Sequence, residues 1–343
     1  MIDYSSVQRI LIIKLKGIGD VILSTIVLDD LRARFPNARI DFLTEPPSRV
    51  VLEPLKQINR VVILDKKKTF SALTTILKVR FAQYDLVIDF YANPRTALIT
   101  FLSGAPLRAG FPYRGRSYAY NIKGPEERAT MHSAALHRHF LNVIGIPAYS
   151  NRLYAGITDE AKVFAKQYFA EKKLIDKNVL IVSPSGGWES KKCDPDIFAK
   201  FAAAISNKHH LVPLIVWGPG DKSDAEQIHQ LLTDSLLAPA TTISEMAALV
   251  ELSKAVIAND SGPMHISAAI GTPTLSIHGP TDPKLQGPFG AQHSTIRLDE
   301  LECIGCNLLN CPKKHECFTQ LPVERVVKEF DAMISGKPTG SNV

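Results

Sequence analysis

The positions in this chain that could do chemistry are a carboxylate, an anion-binding turn and a lysine pair. Each belongs to a segment that contains glycine: Asp20 ends the run KGIGD, Asp260 begins DSGP, and Lys191 and Lys192 follow SGGWES. A carboxylate in the first turn of a helix stays ionised and can accept a proton. Backbone N–H groups at a helix start can bind a phosphate. The pattern indicates proton transfer from a hydroxyl beside a phosphate-bearing ligand.

The DSGP turn lies between two apolar runs and has the residues that an anion site needs. Ser261 and Gly262 allow close approach to the backbone, and Pro263 suits the first helical position, where a missing N–H does no harm. His265 lies on the first turn of the helix that follows. The alternative is structural: Asp260 or Ser261 could only cap the helix, and His265 could only pack within it.

Gly17 and Gly19 invite comparison with a dinucleotide-binding turn, because they follow a strand and open a helix. The third glycine of that motif is missing, since Ile22 stands in its place. Asp20 would also repel a pyrophosphate there. These departures argue against a nicotinamide-dependent dehydrogenase. A simple capping role for Asp20 remains open.

Strands and helices alternate along the whole chain, which predicts an α/β fold with two doubly wound sheets. We expect one continuous helix over 21–35 and another over 244–252, with Ser244 as its N-cap. A long helix over 159–173 should join two domains, and the tail after Gly336 should be disordered. Glycine-rich turns at the carboxyl ends of strands would line a cleft between the sheets.

Composition sets the class of protein. The chain has 343 residues, a net charge of +6 and 45% hydrophobic residues, which is typical of a globular protein with two domains. The mild positive charge suits an anionic substrate or membrane surface, and is too small to argue for nucleic acid. No run is long enough to span a bilayer and no signal peptide is evident, so we expect a cytoplasmic protein.

Four of the five cysteines lie close together near the C-terminus. Their spacing is C-x2-C-x4-C-x5-C, and the residues are Cys303, Cys306, Cys311 and Cys317. Such spacing could hold a structural zinc ion or form disulfides. Reduced thiols are the third possibility, and they suit a cytosolic protein.

Three segments together resemble the ADP-heptose:lipopolysaccharide heptosyltransferase family. They are ILIIKLKGIGDVILS, NDSGPMHISAAIGTP and GPTDP, in this order along the chain. The resemblance extends over roughly residues 9–334 and implies an inverting glycosyltransferase of the GT-B type. It implies two Rossmann-like domains that face each other across a cleft. The acceptor domain would span 1–157 and the donor domain 158–321, and residues 322–343 would form a helix packing back on the junction before the tail.

The resemblance also implies roles for individual residues. Asp20 is similar to the general base that deprotonates the acceptor hydroxyl. The residues implied to bind the donor are Ser185, Lys191, Asp221, Asp260, Ser261, Gly262 and His265. Those implied to bind the acceptor are Gly17, Gly19, Lys66, Lys67, Lys68, Arg114 and Arg116. The lysine segment departs from the family pattern at Cys193 and Asp194, which leaves its register open by one residue.

The implied substrates are ADP-heptose and the lipopolysaccharide core on lipid A. The enzyme would be a monomer held peripherally at the cytoplasmic face of the inner membrane. It would need no active-site metal or cofactor. Two alternatives stay open: a transferase of another nucleotide sugar on the same scaffold, and a nucleotide-sugar-binding protein without catalysis.

Overall fold

The computed structural model describes residues 2–67, 70–113, 115–127 and 130–337. Lys68, Arg114 and the predicted disordered tail over 338–343 lie outside the described residues. The chain divides into two compact units, Met1–Gly156 and Ile157–Val343. Across the described residues, no helix is both long enough and apolar enough to cross a lipid bilayer.

The first unit is a parallel sheet with helices between its strands. Its strands in the described residues are β1 (Arg9–Ile13), β2 (Arg39–Thr44), β3 (Arg60–Ile63), β4 (Leu86–Asp89), β5 (Leu107–Gly110) and β6 (Ile122–Lys123). Its helices are α1 (Ile18–Ser24), α2 (Leu28–Arg34), α3 (Arg49–Leu52), α4 (Ser71–Phe81), α5 (Pro94–Leu102) and α6 (Ser133–Val143). The strand order is β3-β2-β1-β4-β5-β6.

The second unit repeats this plan. Its strands are β7 (Val179–Ser183), β8 (Val212–Ile215), β9 (Leu236–Leu237), β10 (Ala255–Asn259), β11 (Thr274–Ile277) and β12 (Ser294–Ile296). Its helices are α7 (Asp159–Glu171), α8 (Pro195–His209), α9 (Lys222–Leu231), α10 (Ile243–Glu251), α11 (Gly262–Ile270), α12 (Pro283–Gln286), α13 (Glu316–Thr319) and α14 (Val323–Ile334). The order β12-β11-β10-β7-β8-β9, read from its other edge, matches that of the first sheet. The predicted α/β class with two doubly wound sheets is confirmed.

The central strands of both sheets are buried because they are almost wholly apolar. In β1 only Arg9 is exposed, and every residue of β10 is buried. Helices cover both faces of such a sheet, so its strands show continuous apolar runs rather than alternation. Helix α14 packs on α8, β11 and β12 within the second unit. Both sheets reverse direction of winding at their centre, between β1 and β4 and between β7 and β10, which is where such folds bind ligands.

Two helix predictions were wrong in their details. The predicted helix over 21–35 is broken by a 3₁₀ turn at Thr25–Val27. There the hydroxyls of Ser24 and Thr25 donate to the carbonyls of Val21 and Ile22, both at 2.6 Å, in competition with the helical hydrogen bonds.

The N-cap of α10 is Thr242 and not Ser244. Thr242 accepts from the backbone N–H of Glu245 at 3.2 Å, and the Glu245 carboxylate accepts from the N–H of Thr242 at 2.7 Å. This pair is a capping box, and the T-x-x-E spacing was visible in the sequence. Ser244 lies inside the helix, buried, and its hydroxyl accepts the N–H of Thr158 at 2.9 Å.

Candidate active site

The second sheet brings the two predicted donor segments together at its centre. Strands β7 and β10 pair directly, so the loop over 184–193 and the turn after Asn259 leave the same edge side by side. Asn259 joins them: its side-chain amide donates to the carbonyl of Pro184 at 2.8 Å and accepts the N–H of Cys193 at 3.4 Å. The sequence alone could not show this pairing, because it depends on strand order.

The start of helix α11 has no side-chain cap. Ser261 is the N-cap residue and has extended backbone, but its hydroxyl donates to the carbonyl of Asn259 at 3.1 Å instead of accepting a helical N–H. Pro263 lies in the first turn, and Gly271 ends the helix at a φ of 95°. Ser261 and His265 are both buried. The helix start therefore presents its backbone N–H groups without a competing side chain, as an anion site requires.

Asp260 is a buried carboxylate that holds the turn in place. Its Oδ2 lies 2.7 Å from the Lys191 ammonium and accepts the Thr281 hydroxyl at 2.6 Å. Burial alone would raise the pKa of Asp260, but the ring of His278, the ammonium and the hydroxyl outweigh burial and lower it. Asp260 is thus ionised, and its Oδ2 is engaged by Lys191 and Thr281, which suits a residue that orders the turn.

A row of buried polar side chains continues from Asp260 and was not predicted from the sequence. Ser276 lies 2.8 Å from Nε2 of His278, and Nδ1 of His278 lies 3.4 Å from the Thr281 hydroxyl. Burial lowers the pKa of His278 to about 4, although Asp260 opposes this. The sequence does show these polar residues at the end of an apolar strand. It does not show that they share a partner in Asp260.

The two lysines of the predicted pair have different partners. The Lys191 ammonium lies at Asp260 and 4.3 Å from the ring centre of Trp188, and its side chain is 11% exposed. The Lys192 ammonium lies 2.6 Å from Asp221 and 3.2 Å from Asp224. Burial tends to lower the pKa of Lys192, but these two carboxylates raise it overall. Lys191 is therefore the lysine at the DSGP turn, and Asp221 is occupied by the other.

Glycine shapes the loop that carries both lysines. A Cβ on Gly186 would lie 2.6 Å from Cγ of Lys192 and 3.3 Å from the carbonyl of Trp188. Both contacts are too short for a Cβ, and glycine avoids them because it has none. Ser185, the predicted donor contact, is half-buried in the same loop. A larger residue at position 186 would therefore displace the side chain of Lys192.

Asp20 lies in the first turn of α1, in the first unit. Its helix has Gly17 as N-cap with no side-chain cap, and the Asp20 side chain is 38% exposed. The ammonium of Lys14 lies 3.9 Å from its carboxylate and 3.4 Å from Nε2 of His137. Asp20 is therefore not an N-cap. Its nearest charged partner is the ammonium of the buried Lys14. A role for Lys14 was not predicted from the sequence, although a lysine at the end of a buried strand was visible there.

A family comparison decides the class of this site. The sequence model of glycosyltransferase family 9 (heptosyltransferase) matches residues 74–316, more than two thirds of the chain. The chain belongs to glycosyltransferase family 9. The match includes the loop that carries Lys191 and the turn at Asp260, and it begins beyond Asp20.

Relatives of known name agree with this membership. Lipooligosaccharide heptosyltransferase 2 of Campylobacter jejuni subsp. jejuni serotype O:6 is 25% identical over 91% of this chain and 95% of its own length. Lipopolysaccharide heptosyltransferase 3 of Escherichia coli K12 is 25% identical over 77% of this chain and 80% of its own. The predicted resemblance to heptosyltransferases is confirmed.

Solved structures of family 9 proteins share the fold. A family 9 glycosyl transferase from Veillonella parvula matches with a TM-score of 0.84 at 22% identity, over 97% of this chain and 98% of its own. The E. coli heptosyltransferase WaaC with ADP matches with a TM-score of 0.73 at 18% identity, over 95% of this chain and 100% of its own. At these identities the likeness concerns the fold, and the predicted GT-B class is confirmed.

The residues predicted to bind the acceptor in this family 9 protein are spread over several loops of the first unit. Gly17 and Gly19 lie at the start of α1, next to Asp20. Lys66 forms an ion pair with Glu45, and Lys67 is exposed beside it. Arg116 is half-exposed and precedes a 3₁₀ turn at Ser117–Ala119. The structure thus gives Lys66 a protein partner already.

The cysteine segment of the family 9 chain packs against the lysine loop and the loop that follows β11. The backbone N–H of Ser190 donates to the carbonyl of Leu309 at 3.1 Å, and the N–H of Asn307 donates to Pro280 at 2.8 Å. All five cysteines are free thiols. Among the described residues, no group of three or more His, Cys, Asp or Glu side chains is arranged to hold a metal ion. The segment's visible role is to hold the lysine loop in place.

Proposed function

We propose that this protein transfers a heptose from ADP-heptose to the inner core of lipopolysaccharide, with inversion at the anomeric carbon. The observation that carries the proposal is the Lys191 ammonium beside the uncapped start of helix α11. A cation and unpartnered N–H groups together suit a nucleoside diphosphate. The names of the relatives supply the sugar and the acceptor.

Asp20 acts as the general base in this proposal. Its carboxylate takes the proton of the acceptor hydroxyl while that oxygen bonds to the anomeric carbon. The bond from the anomeric carbon to the diphosphate breaks on the opposite face, and ADP leaves with the bonding electrons. The ammonium of Lys14 lies 3.9 Å from this carboxylate and would help to position it.

The donor would be held by groups of the second unit. The N–H groups at Ser261 and Gly262 and the ammonium of Lys191 would stabilise charge on the leaving diphosphate. Lys191 would have to share its charge between Asp260 and the phosphate. Asp221 remains our candidate for the ribose hydroxyls, and Ser185 and His265 are further candidates for donor contact. We propose that these groups suffice without an active-site metal, so that chelators leave the rate unchanged.

The acceptor determines where such an enzyme would act. A lipopolysaccharide core attached to lipid A is phosphorylated and anionic. Such an acceptor suits the basic residues Lys67 and Arg116, together with Lys68 and Arg114 outside the described residues. We propose that the protein works as a monomer at the cytoplasmic face of the inner membrane and associates with it peripherally.

Calorimetric titration with ADP, UDP and NAD, followed by an assay of ADP-heptose turnover, tests the proposal. We expect binding of ADP in preference to UDP, no binding of NAD, and heptose transfer to a heptose-deficient core acceptor. The anomeric configuration of the product, read by NMR, tests inversion. Preference for UDP would move the enzyme to another nucleotide sugar. Binding of ADP without any transfer would leave a nucleotide-sugar-binding protein.

A further inference from the structure

Helix α4 in the first unit has apolar side chains on its outer side as well as its inner side. Thr75 and Val79 are buried against the sheet. The opposite side is apolar from end to end. Its members, with their exposed fractions, are Phe70 (72%), Leu73 (56%), Leu77 (46%) and Phe81 (79%). Spacings of three and four residues place all four on one face of the helix.

Helix α5 extends this surface. It packs beside α4, and Val79 of α4 and Ile99 of α5 belong to one core cluster on the same side of the sheet. The outer sides of the two helices therefore point the same way. Leu98 is 42% exposed and Phe101 is 47% exposed on the outer side of α5. We call these six outer residues of α4 and α5 the α4–α5 face. Contiguous exposed apolar residues of this kind mark an interaction site.

The segment of sequence that carries helices α4 and α5 is rich in positive charge. Residues 66–118 contain nine Lys and Arg against two Asp, which leaves 31 Lys and Arg against 32 Asp and Glu elsewhere. Asp89 is buried, and Asp85 accepts the backbone N–H groups of Gln8 and Arg9. Helices α4 and α5 contain no acidic residue, and both Lys78 and Arg95 are exposed. The surface is thus apolar and aromatic, and the only charged side chains of its two helices are basic.

A bilayer with anionic headgroups fits this combination. Aromatic and leucine side chains enter the boundary between headgroups and acyl chains, and lysine and arginine bind the phosphates. A second copy of the same surface fits poorly, because two strongly cationic faces repel each other. We propose that the α4–α5 face is a docking surface for an anionic lipid bilayer. The proposal deepens the proposed function, whose acceptor is anchored in a membrane.

Vesicle flotation of the purified full-length protein tests the proposal without any substrate. Phosphatidylglycerol-containing vesicles should bind the protein, and phosphatidylcholine vesicles should bind it far less. The triple variant Leu73→Gln, Leu77→Gln, Phe81→Gln should lose about tenfold or more in binding. Glutamine keeps the helix propensity high. The matched control is Val163→Gln with Ile175→Gln, which removes two equally exposed apolar side chains from the second unit.

A charge variant tests the same surface without changing any of its apolar side chains. Lys78→Gln with Arg95→Gln should lower binding to anionic vesicles several-fold and weaken its dependence on salt. Lys162→Gln with Lys166→Gln on α7 is the matched control and should bind as the parent does. Equal binding by the parent and both test variants would overturn the proposal. Failure of the parent to bind phosphatidylglycerol-containing vesicles would also overturn it. So would sedimentation that shows a dimer of the parent and a monomer of the triple variant.

A soluble-acceptor assay separates this inference from the proposed function. Heptose transfer to a water-soluble core oligosaccharide should be equal in the parent and the triple variant. Transfer by a parent that binds no vesicles would overturn the docking surface and support the enzyme function. Vesicle binding through the α4–α5 face without transfer would support the surface and overturn the function alone.

Discussion

Asp20, in the first unit, differs in its surroundings from Asp260 and Asp221, the candidate donor-site carboxylates of the second unit. It is partly exposed, with Lys14 at 3.9 Å as its basic neighbour, whereas Asp260 and Asp221 are buried against short ion pairs. A base must be free to accept a proton, and among these three carboxylates Asp20 has the loosest contact. The roles that we propose for the three therefore rest on their partners rather than on residue type.

Replacing Asp20 by Asn tests the base at the same size. We expect the transfer rate to fall by about 10²- to 10⁴-fold, because the amide cannot take the acceptor proton. ADP affinity should stay within a few-fold. Initial rates and calorimetry measure the two effects. Glu53→Gln, an exposed carboxylate paired with Arg49 in the same unit, is the control. A rate near that of the parent would show that Asp20 is not the base.

Replacing Lys191 by Met removes the ammonium at the DSGP turn. We expect ADP affinity to fall by about 10- to 100-fold, which is the value of a charge-assisted hydrogen bond. Unfolding should also become easier by about 3 kcal/mol or more, since Asp260 is left buried without its partner. The double variant with Asp260→Asn should recover stability and not affinity. Chemical denaturation and calorimetry separate the two.

Lys192→Met is the matched comparison for that prediction. Its ammonium bridges Asp221 and Asp224 and is 27% exposed. It should alter ADP affinity less than Lys191→Met does. A larger loss for Lys192 would mean that the phosphate-binding lysine is one residue later than we assign it.

At the scale of elements, the sequence predicted those that are long or tightly bounded. Strands β1 and β10 are unbroken apolar runs, and a glycine, Gly271, ends α11. The short strands β6 and β9 have two residues each, too few to leave a pattern. At the break, the Thr25 hydroxyl donates to Ile22 and also accepts the N–H of Tyr154 at 2.8 Å. A partner so distant in sequence cannot be read locally.

The same limit applied to the site. Asp20, Lys191 and Asp260 could be predicted because each stands in a motif that follows a strand. Thr281 and His278 could not, since their roles come from contact with Asp260 across neighbouring strands. The ion pair of Lys191 with Asp260 favours Lys191 over Lys192 as the phosphate-binding lysine, which the spacing of the loop could not do.

The capping box of α10 offers a direct test at this scale. Thr242→Ala should lower the free energy of unfolding by about 1 kcal/mol, because the N–H of Glu245 loses its acceptor. Thermal or urea unfolding measures the change. Thr241→Ala is the matched control one residue earlier and should stay within about 0.5 kcal/mol of the parent. Equal effects of the two changes would contradict the capping role.

At the scale of the whole molecule, two buried histidines predict how stability depends on pH. Burial lowers the pKa values of His278 and His293 from 6.5 to about 4. Between these values the unfolded chain binds protons that the folded protein refuses, so stability falls as the pH falls. From about pH 7 to about pH 5 we expect a loss of about 2 kcal/mol per histidine.

Urea unfolding at several pH values measures this dependence. His293→Leu should remove about half of it, because leucine has no proton to bind in either state. His210→Leu, an exposed histidine at the end of α8, should leave the dependence unchanged. A parent whose unfolding midpoint is flat over this range would contradict the prediction.

The strand order has a consequence for synthesis on the ribosome. In each unit the first strand to be synthesised lies at the centre of the sheet. The strand that pairs with it across the centre comes about 75 residues later, since Ile10 pairs with Leu86 and Leu180 pairs with Ala255. At about 5–20 residues per second, each first strand waits roughly 4–15 s for that neighbour. During this interval the nascent chain displays the apolar runs RILII and VLIVS, so translation itself should create two successive chaperone-binding windows.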